Sequence, residues 1–210
     1  MRSLFLTALD IGTNSIKGLC ASRDSKGGGL KLLAKAQYPC FGVRNGEIVR
    51  PDKVAETIQI IKDDLSGQTN LKIKDVLVNI DGSHLFSVLS QGLVSVSRAD
   101  QKISKEDVQR VLKAAEAIHL PSNKEVLYVF PKEFVIDGEK GIKNPVGLEG
   151  IRLEVKVLLI CVFSPILENL EKAIEKAGLQ ISEAVISPLA AARAVLTQEQ
   201  KELGVILVDI

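Results

Sequence analysis

Residues 4–17 read Leu-Phe-Leu-Thr-Ala-Leu-Asp-Ile-Gly-Thr-Asn-Ser-Ile-Lys, and the fold of this stretch decides what the rest of the chain can be. The apolar run Leu4–Leu9 ends at Asp10. The turn formers Gly12-Thr13-Asn14 follow, and Ile16–Ala21 is apolar again, which predicts strand, tight turn, strand. An aspartate at a strand end, followed by a glycine turn into a second strand, suits a phosphate group. The N–H groups of such a turn face phosphate oxygens, glycine permits close approach, and the carboxylate holds a hydrated Mg²⁺. Lys17 adds a point charge. This is not a P-loop: GxxxxGK[ST] is missing, and a strand follows where that motif requires a helix. At the other end, Gly-Val-Ile-Leu-Val-Asp-Ile over residues 204–210 repeats the pattern of an apolar strand closed by Asp-Ile. Two such strands favour a phosphate cleft over an ordinary hairpin.

Working outward, Asp24–Gly29 is a second turn and Leu30–Tyr38 a third strand, so the chain opens as a β-meander. Pro51 and Asp52 begin a helix whose apolar residues Val54, Ile58, Ile61 and Leu65 keep the 3.6-residue period, with Gly67 as its stop. Asp75–Ile80 is an apolar strand that completes a βββαβ unit. The pattern breaks at Asp81-Gly82. Leu85–Ser97 reads as a strand bent at Gly92, or a hairpin. Ser104-Lys105-Glu106-Asp107 has the Ser-x-x-acid pattern of a capped helix start, and Val108, Val111, Leu112, Ala115 and Ile118 form that helix's apolar stripe. Val126–Ile136 and Arg152–Phe163 are further strands, joined by a long connection over 137–150. These residues form a second unit inserted between two parts of the first. After it, Pro165 opens a helix stopped at Gly178, Ile181–Ile186 is a strand, and Ser187-Pro188 is the N-cap and first-turn pair of an Ala-rich helix. A chain ending inside the apolar strand 204–210 is expected to be the front part of a longer protein.

Composition narrows the function. The apolar fraction is 46%, charged residues make up 25%, and the formal charge of +1 gives no basic stripe. With no Trp and two Tyr for base stacking, nucleic acid is not an expected partner. His84 and His119 stand far apart without Cys or carboxylate at ligand spacing, so neither a zinc site nor a histidine triad is expected. Cys20, Cys40 and Cys161 are odd in number, lack a CxxC pair and sit among apolar neighbours, which predicts buried reduced thiols in a cytosolic protein. The longest strictly apolar run, Val157–Phe163, is far below the ~20 residues of a membrane helix.

Asp10-Ile11-Gly12-Thr13-Asn14-Ser15-Ile16-Lys17 resembles the first phosphate motif of the actin and Hsp70 ATPase superfamily. Gly46–Val49, Val78–His84, Ile103–Val108, Phe134–Gly138, Gly141–Pro145, Gly150–Glu154 and Ser187–Ala190, in this order, resemble the bacterial cell-division FtsA family. The resemblance runs from Leu4 to the end of the chain. It implies an α/β fold: an actin-like (ribonuclease H-like) domain 1A over residues 1–81 and 166–210, with an inserted α+β domain 1C of SHS2 type over 82–165. It implies ATP with Mg²⁺ as cofactor, bound by Asp10, Gly12, Thr13, Asn14, Ser15, Lys17 and Asp209, with Asp10 and Asp209 holding the metal through water. Asp209 would begin the second phosphate motif. The activity implied is at most a weak ATPase in a nucleotide-regulated scaffold.

The partners implied are the protein itself, in a filament built through 1A and 1C, and the tubulin-like division protein FtsZ through a domain beyond residue 210. Later division proteins would bind through 1C, and the membrane at the division septum through a terminal helix also beyond residue 210. Two other readings share the core: a pilus-assembly protein of the PilM type, and a sugar or acetate kinase.

Overall fold

The computed structural model describes residues 4–23 and 29–208. Strands β1 (Leu4–Ile11), β2 (Ser15–Arg23) and β3 (Leu30–Pro39) form an antiparallel meander. A small hairpin follows, β4 (Val43–Arg44) and β5 (Glu47–Ile48). It turns at Asn45-Gly46, both left-handed at φ 50° and 77°, the conformation for which Asn-Gly is favoured in two-residue hairpins. Helix α1 (Pro51–Thr69) returns the chain to β6 (Asp75–Ile80), which lies parallel to β1. The predicted stripe of α1 is its buried face: Val54, Ile58, Ile61 and Leu65 have no exposed surface. Gly18 on β2 lets the helix approach the sheet, since a Cβ there would stand 2.5 Å from Ile61 Cγ2.

The next residues build a separate sheet. Its strands β7 (Phe86–Ser95), β8 (Lys124–Ile136), β9 (Glu139–Ile142) and β10 (Arg152–Phe163) are antiparallel and ordered β7-β10-β8-β9. Helix α2 (Lys105–Glu116) covers one face, with Val111 and Ala115 buried against Leu153, Val155, Val157 and Leu159. The alternation along β10 explains this: its odd-numbered residues from Leu153 to Cys161 are all buried. The chain then returns through α3 (Ser164–Lys176), β11 (Gln180–Ile186), α4 (Ser187–Val195) and α5 (Gln198–Leu203). β11 lies parallel to β6 and completes a five-stranded sheet ordered β11-β6-β1-β2-β3. Two compact units result: the residues up to Ser83 with those from Pro165 onward, and His84–Ser164.

Several expectations are corrected. Helix α1 does not stop at Gly67 but continues to Thr69, where Asn70 takes the left-handed C-cap (φ 55°) and its N–H donates to the Ser66 carbonyl. The ~1 kcal/mol cost of a helical glycine is offset by the buried anchor Leu65 and by the Asn70 cap. β7 is one unbroken strand through Gly92. That glycine serves close packing, because a Cβ on it would lie 2.2 Å from the Val111 carbonyl oxygen of α2. The connection 137–150 contains β9, joined to β8 by the Asp137-Gly138 turn, both residues left-handed at φ 49° and 95°. Ser187 is the first residue of α4 and not its N-cap; Ile186 holds that position without a side-chain bond. Residues 204–208 form no strand, although their apolar pattern predicts one. β11 holds the place beside β6, and Val205–Val208 lie exposed.

Candidate functional site

The cross-strand register of β1 and β2 places Asp10 opposite Lys17. Their side chains form an ion pair of 2.8 Å, each about half exposed (52% and 52%). The second carboxylate oxygen of Asp10 accepts a bond from Asn79 Nδ2 at 3.1 Å. Asn79 stands near the end of β6, the neighbour of β1 on the other side, and its Oδ1 accepts from the Ile11 N–H at 2.7 Å. The same Nδ2 reaches Ser187 Oγ at 3.2 Å, at the start of α4. One amide thus fixes the ends of β1 and β6 and the entry to α4 around the Asp10 carboxylate.

The turn between the two strands is closed by the Gly12 N–H donating to the Ser15 carbonyl at 3.1 Å. Thr13 and Asn14 form its exposed tip, outside the paired ladder. Asn14 is not left-handed; its carbonyl accepts from the Cys40 N–H at 3.0 Å, which ties the turn to the segment after β3. Thr13 Oγ1 accepts from the Gly46 N–H at 3.2 Å, so the β4–β5 hairpin supports the tip from a second side. Ser15 Oγ accepts from Gln37 Nε2 at 3.2 Å. Of the sequence-predicted residues, Asp10, Gly12, Thr13, Asn14, Ser15 and Lys17 therefore share one corner of the sheet. Asp209 lies outside the described residues.

Beside this corner runs an open groove of about 870 Å³. Its floor is the sheet face turned away from α1, and its polar groups include Asp10, Lys17, Lys35, Gln37, Asn79 and Ser187. Ala190, Ala191 and Ala194 of α4 form a wall; their short side chains leave the groove wide. Sequence reasoning missed Asn79 as a site residue and the hairpin support of Thr13. The signals were present: an amide inside the apolar strand Asp75–Ile80, and the Asn45-Gly46 pair.

The donor set suits a phosphate with one hydrated divalent cation. The turn tip presents backbone, Lys17 a fixed positive charge, and Asp10 a single half-exposed carboxylate. Among the described residues no group of three or more His, Cys, Asp or Glu could hold a metal ion by itself. A cation there would keep most of its waters. Cys20, Cys40 and Cys161 are buried free thiols, and no described helix is long and apolar enough to cross a membrane.

Comparison with known proteins gives one concordant result. Residues 82–161 match the family model described as an SHS2 domain inserted in FtsA. The cell-division protein FtsA of Streptococcus pneumoniae is 35% identical over 209 residues, covering 100% of this chain and 45% of the relative. FtsA of Pseudomonas aeruginosa is 33% identical over 205 residues (98% and 48%), and that of Escherichia coli K12 31% (98% and 48%). The chain spans about half the length of the curated relatives it matches. Among solved structures, the PilM-PilN type IV pilus biogenesis complex shares the fold, with a TM-score of 0.59 at 18% identity over 90% of this chain and 49% of that one. In sequence along its whole length, and in its inserted SHS2 domain, the chain belongs to the FtsA family.

Proposed function

We propose that this chain is the part of an actin-like cell-division scaffold that holds the phosphates of Mg-ATP, and that the nucleotide regulates its self-association. The single observation that carries this reading is the Asp10–Lys17 pair, fixed by Asn79 beside an exposed glycine turn and an open groove. The N–H groups at the Thr13-Asn14 tip would receive phosphate oxygens, and Lys17 would balance their charge. Asp10 would order the water shell of the metal, and Asn79 would hold that carboxylate in place. Asp209, as the start of the second phosphate motif, would add a second carboxylate to the metal's water shell. When bound, the nucleotide supplies a charge that distinguishes two assembly states. Tethering of FtsZ and attachment to the septal membrane belong to the same reading and would use segments beyond residue 210, whereas later division proteins would bind through the inserted domain.

The groove forms one wall only, and tight nucleotide binding needs a ligand largely enclosed. The 210-residue chain is accordingly expected to bind Mg-ATP weakly, and a chain extended to the length of its relatives to bind it well. Calorimetry on both forms tests this. Micromolar binding by the short chain would overturn the one-wall account, and no binding by the long one would overturn the phosphate assignment.

A further inference from the structure

The two edges of the His84–Ser164 sheet differ in kind. The β9 edge is four residues long and carries Glu139 and Lys140, the usual protection against pairing with another chain. The β7 edge is ten residues long, with neither a charge nor a proline between Phe86 and Ser95. Its backbone orientation follows from two bonds at its end. The Val96 N–H donates to Ile151, beside β10, whereas the Ser97 N–H donates away from β10 to Asp107 Oδ1. Because β7 pairs with β10 without a register shift, alternation turns the N–H and C=O groups of Ser87, Leu89, Gln91 and Leu93 to the open edge. Only the far end is closed, where Arg110 Nη2 donates to the Ser95 carbonyl. Leu89 and Leu93 are 69% and 50% exposed, and among the described residues no strand pairs with this edge.

The sequence of the edge is nearly its own reverse. About Gln91, Ser87 mirrors Ser95, Val88 mirrors Val94, Leu89 mirrors Leu93, and Ser90 faces the equally small Gly92. A strand that reads alike in both directions is complementary to an antiparallel copy of itself. We propose that β7 is a self-association edge: two copies of this chain join their β7 strands antiparallel across a two-fold axis at Gln91. Gln91 then faces Gln91 of the second copy, and each Leu89 packs beside a Leu93. The open N–H and C=O groups of residues 89–93 pair in about six backbone hydrogen bonds. No like charges meet, and the joined sheets become one. The contact is isologous and closes on itself as a dimer. It does not depend on the nucleotide reading, because it uses no residue of the Asp10 corner.

The test is the oligomeric state of this chain by sedimentation over a concentration series in the absence of nucleotide. The wild-type chain should dimerise reversibly, in the roughly 10–100 μM range given so small an interface. Gln91→Lys sets two cations against each other on the axis and should weaken the dimer at least tenfold, without changing the melting temperature at dilutions where both chains are monomeric. Gln91→Glu should do the same, and an equimolar mixture of the two variants should restore association. A short bis-maleimide should cross-link Gln91→Cys to itself but not Ser87→Cys, whose two copies would lie about 27 Å apart at ~3.4 Å per residue. A wild-type chain that stays monomeric at several hundred micromolar would overturn the proposal. So would a Gln91→Lys dimer as stable as wild type, a mixture that fails to restore association, or equal cross-linking at the two positions.

Discussion

Two aspartates, one in each compact unit, are held by similar partners in opposite surroundings. Asp107 of the inserted unit has no exposed surface. Its Oδ2 accepts from the N–H and Oγ of Ser104, and its Oδ1 from Ser97 and Arg110, which closes the capping box of α2. Asp10 of the other unit also has a cation and an amide, but it is half exposed at the mouth of a groove. A buried carboxylate whose lone pairs are all taken by its own chain is a structural part. A half-exposed one that a neighbouring strand holds in place is available to a ligand. Exposure, not the number of partners, separates the two roles.

The largest effect that could break this contrast is the loss of Asp107. Asp107→Ala strips the Ser97 and Ser104 donors of their acceptor and leaves Arg110 unpaired. It should destabilise the inserted unit by about 3 kcal/mol, read as lost hydrogen-exchange protection of α2 and β7. Protection of the β1–β2 amides should be unchanged. Gly92→Ala should come next, at roughly 2 kcal/mol, because its Cβ would meet the α2 backbone and cannot be accommodated by a side-chain rotation.

Acid sharpens the comparison. Burial raises the cost of charging Asp107, but the bonds from Ser104, Arg110 and Ser97 outweigh it and hold the carboxyl well below the usual carboxylate range. A group whose folded pKa is depressed contributes stability above its unfolded pKa, near 4 for aspartate, and loses that contribution as pH falls through the folded value. Stability of the inserted unit should therefore decline as pH drops below about 4, and Asp107→Asn should flatten that decline. An unaltered acid profile in Asp107→Asn would assign the acid sensitivity elsewhere.

Much of this contrast is legible in the sequence. The capping box at Ser104, the buried stripe of α1 and the limits of β10 follow from short-range rules: cap chemistry, a 3.6-residue period and strict alternation. The Asp10–Lys17 pairing needs only the hairpin register. What escaped was long-range. Gly67 and Gly92 resemble breaks until the packing around them is known, because a glycine that ends an element and one that admits a neighbour look alike in sequence. Ser187 looks like a cap and instead accepts a bond from Asn79, 108 residues away. Residues 204–208 carry a strand pattern, but a pattern gives no partner, and β11 holds the place beside β6.

The smallest expected stability effect carries the central claim. Asp10→Ala, made in a chain extended to the length of its relatives, removes an exposed ion pair and should leave the unfolding midpoint where it is. Calorimetric titration of that variant with Mg-ATP should give an affinity at least tenfold weaker than wild type. Unchanged affinity would contradict the assignment of Asp10 to the nucleotide's metal, and a loss of folding stability as large as that of Asp107→Ala would show that the two aspartates do the same work.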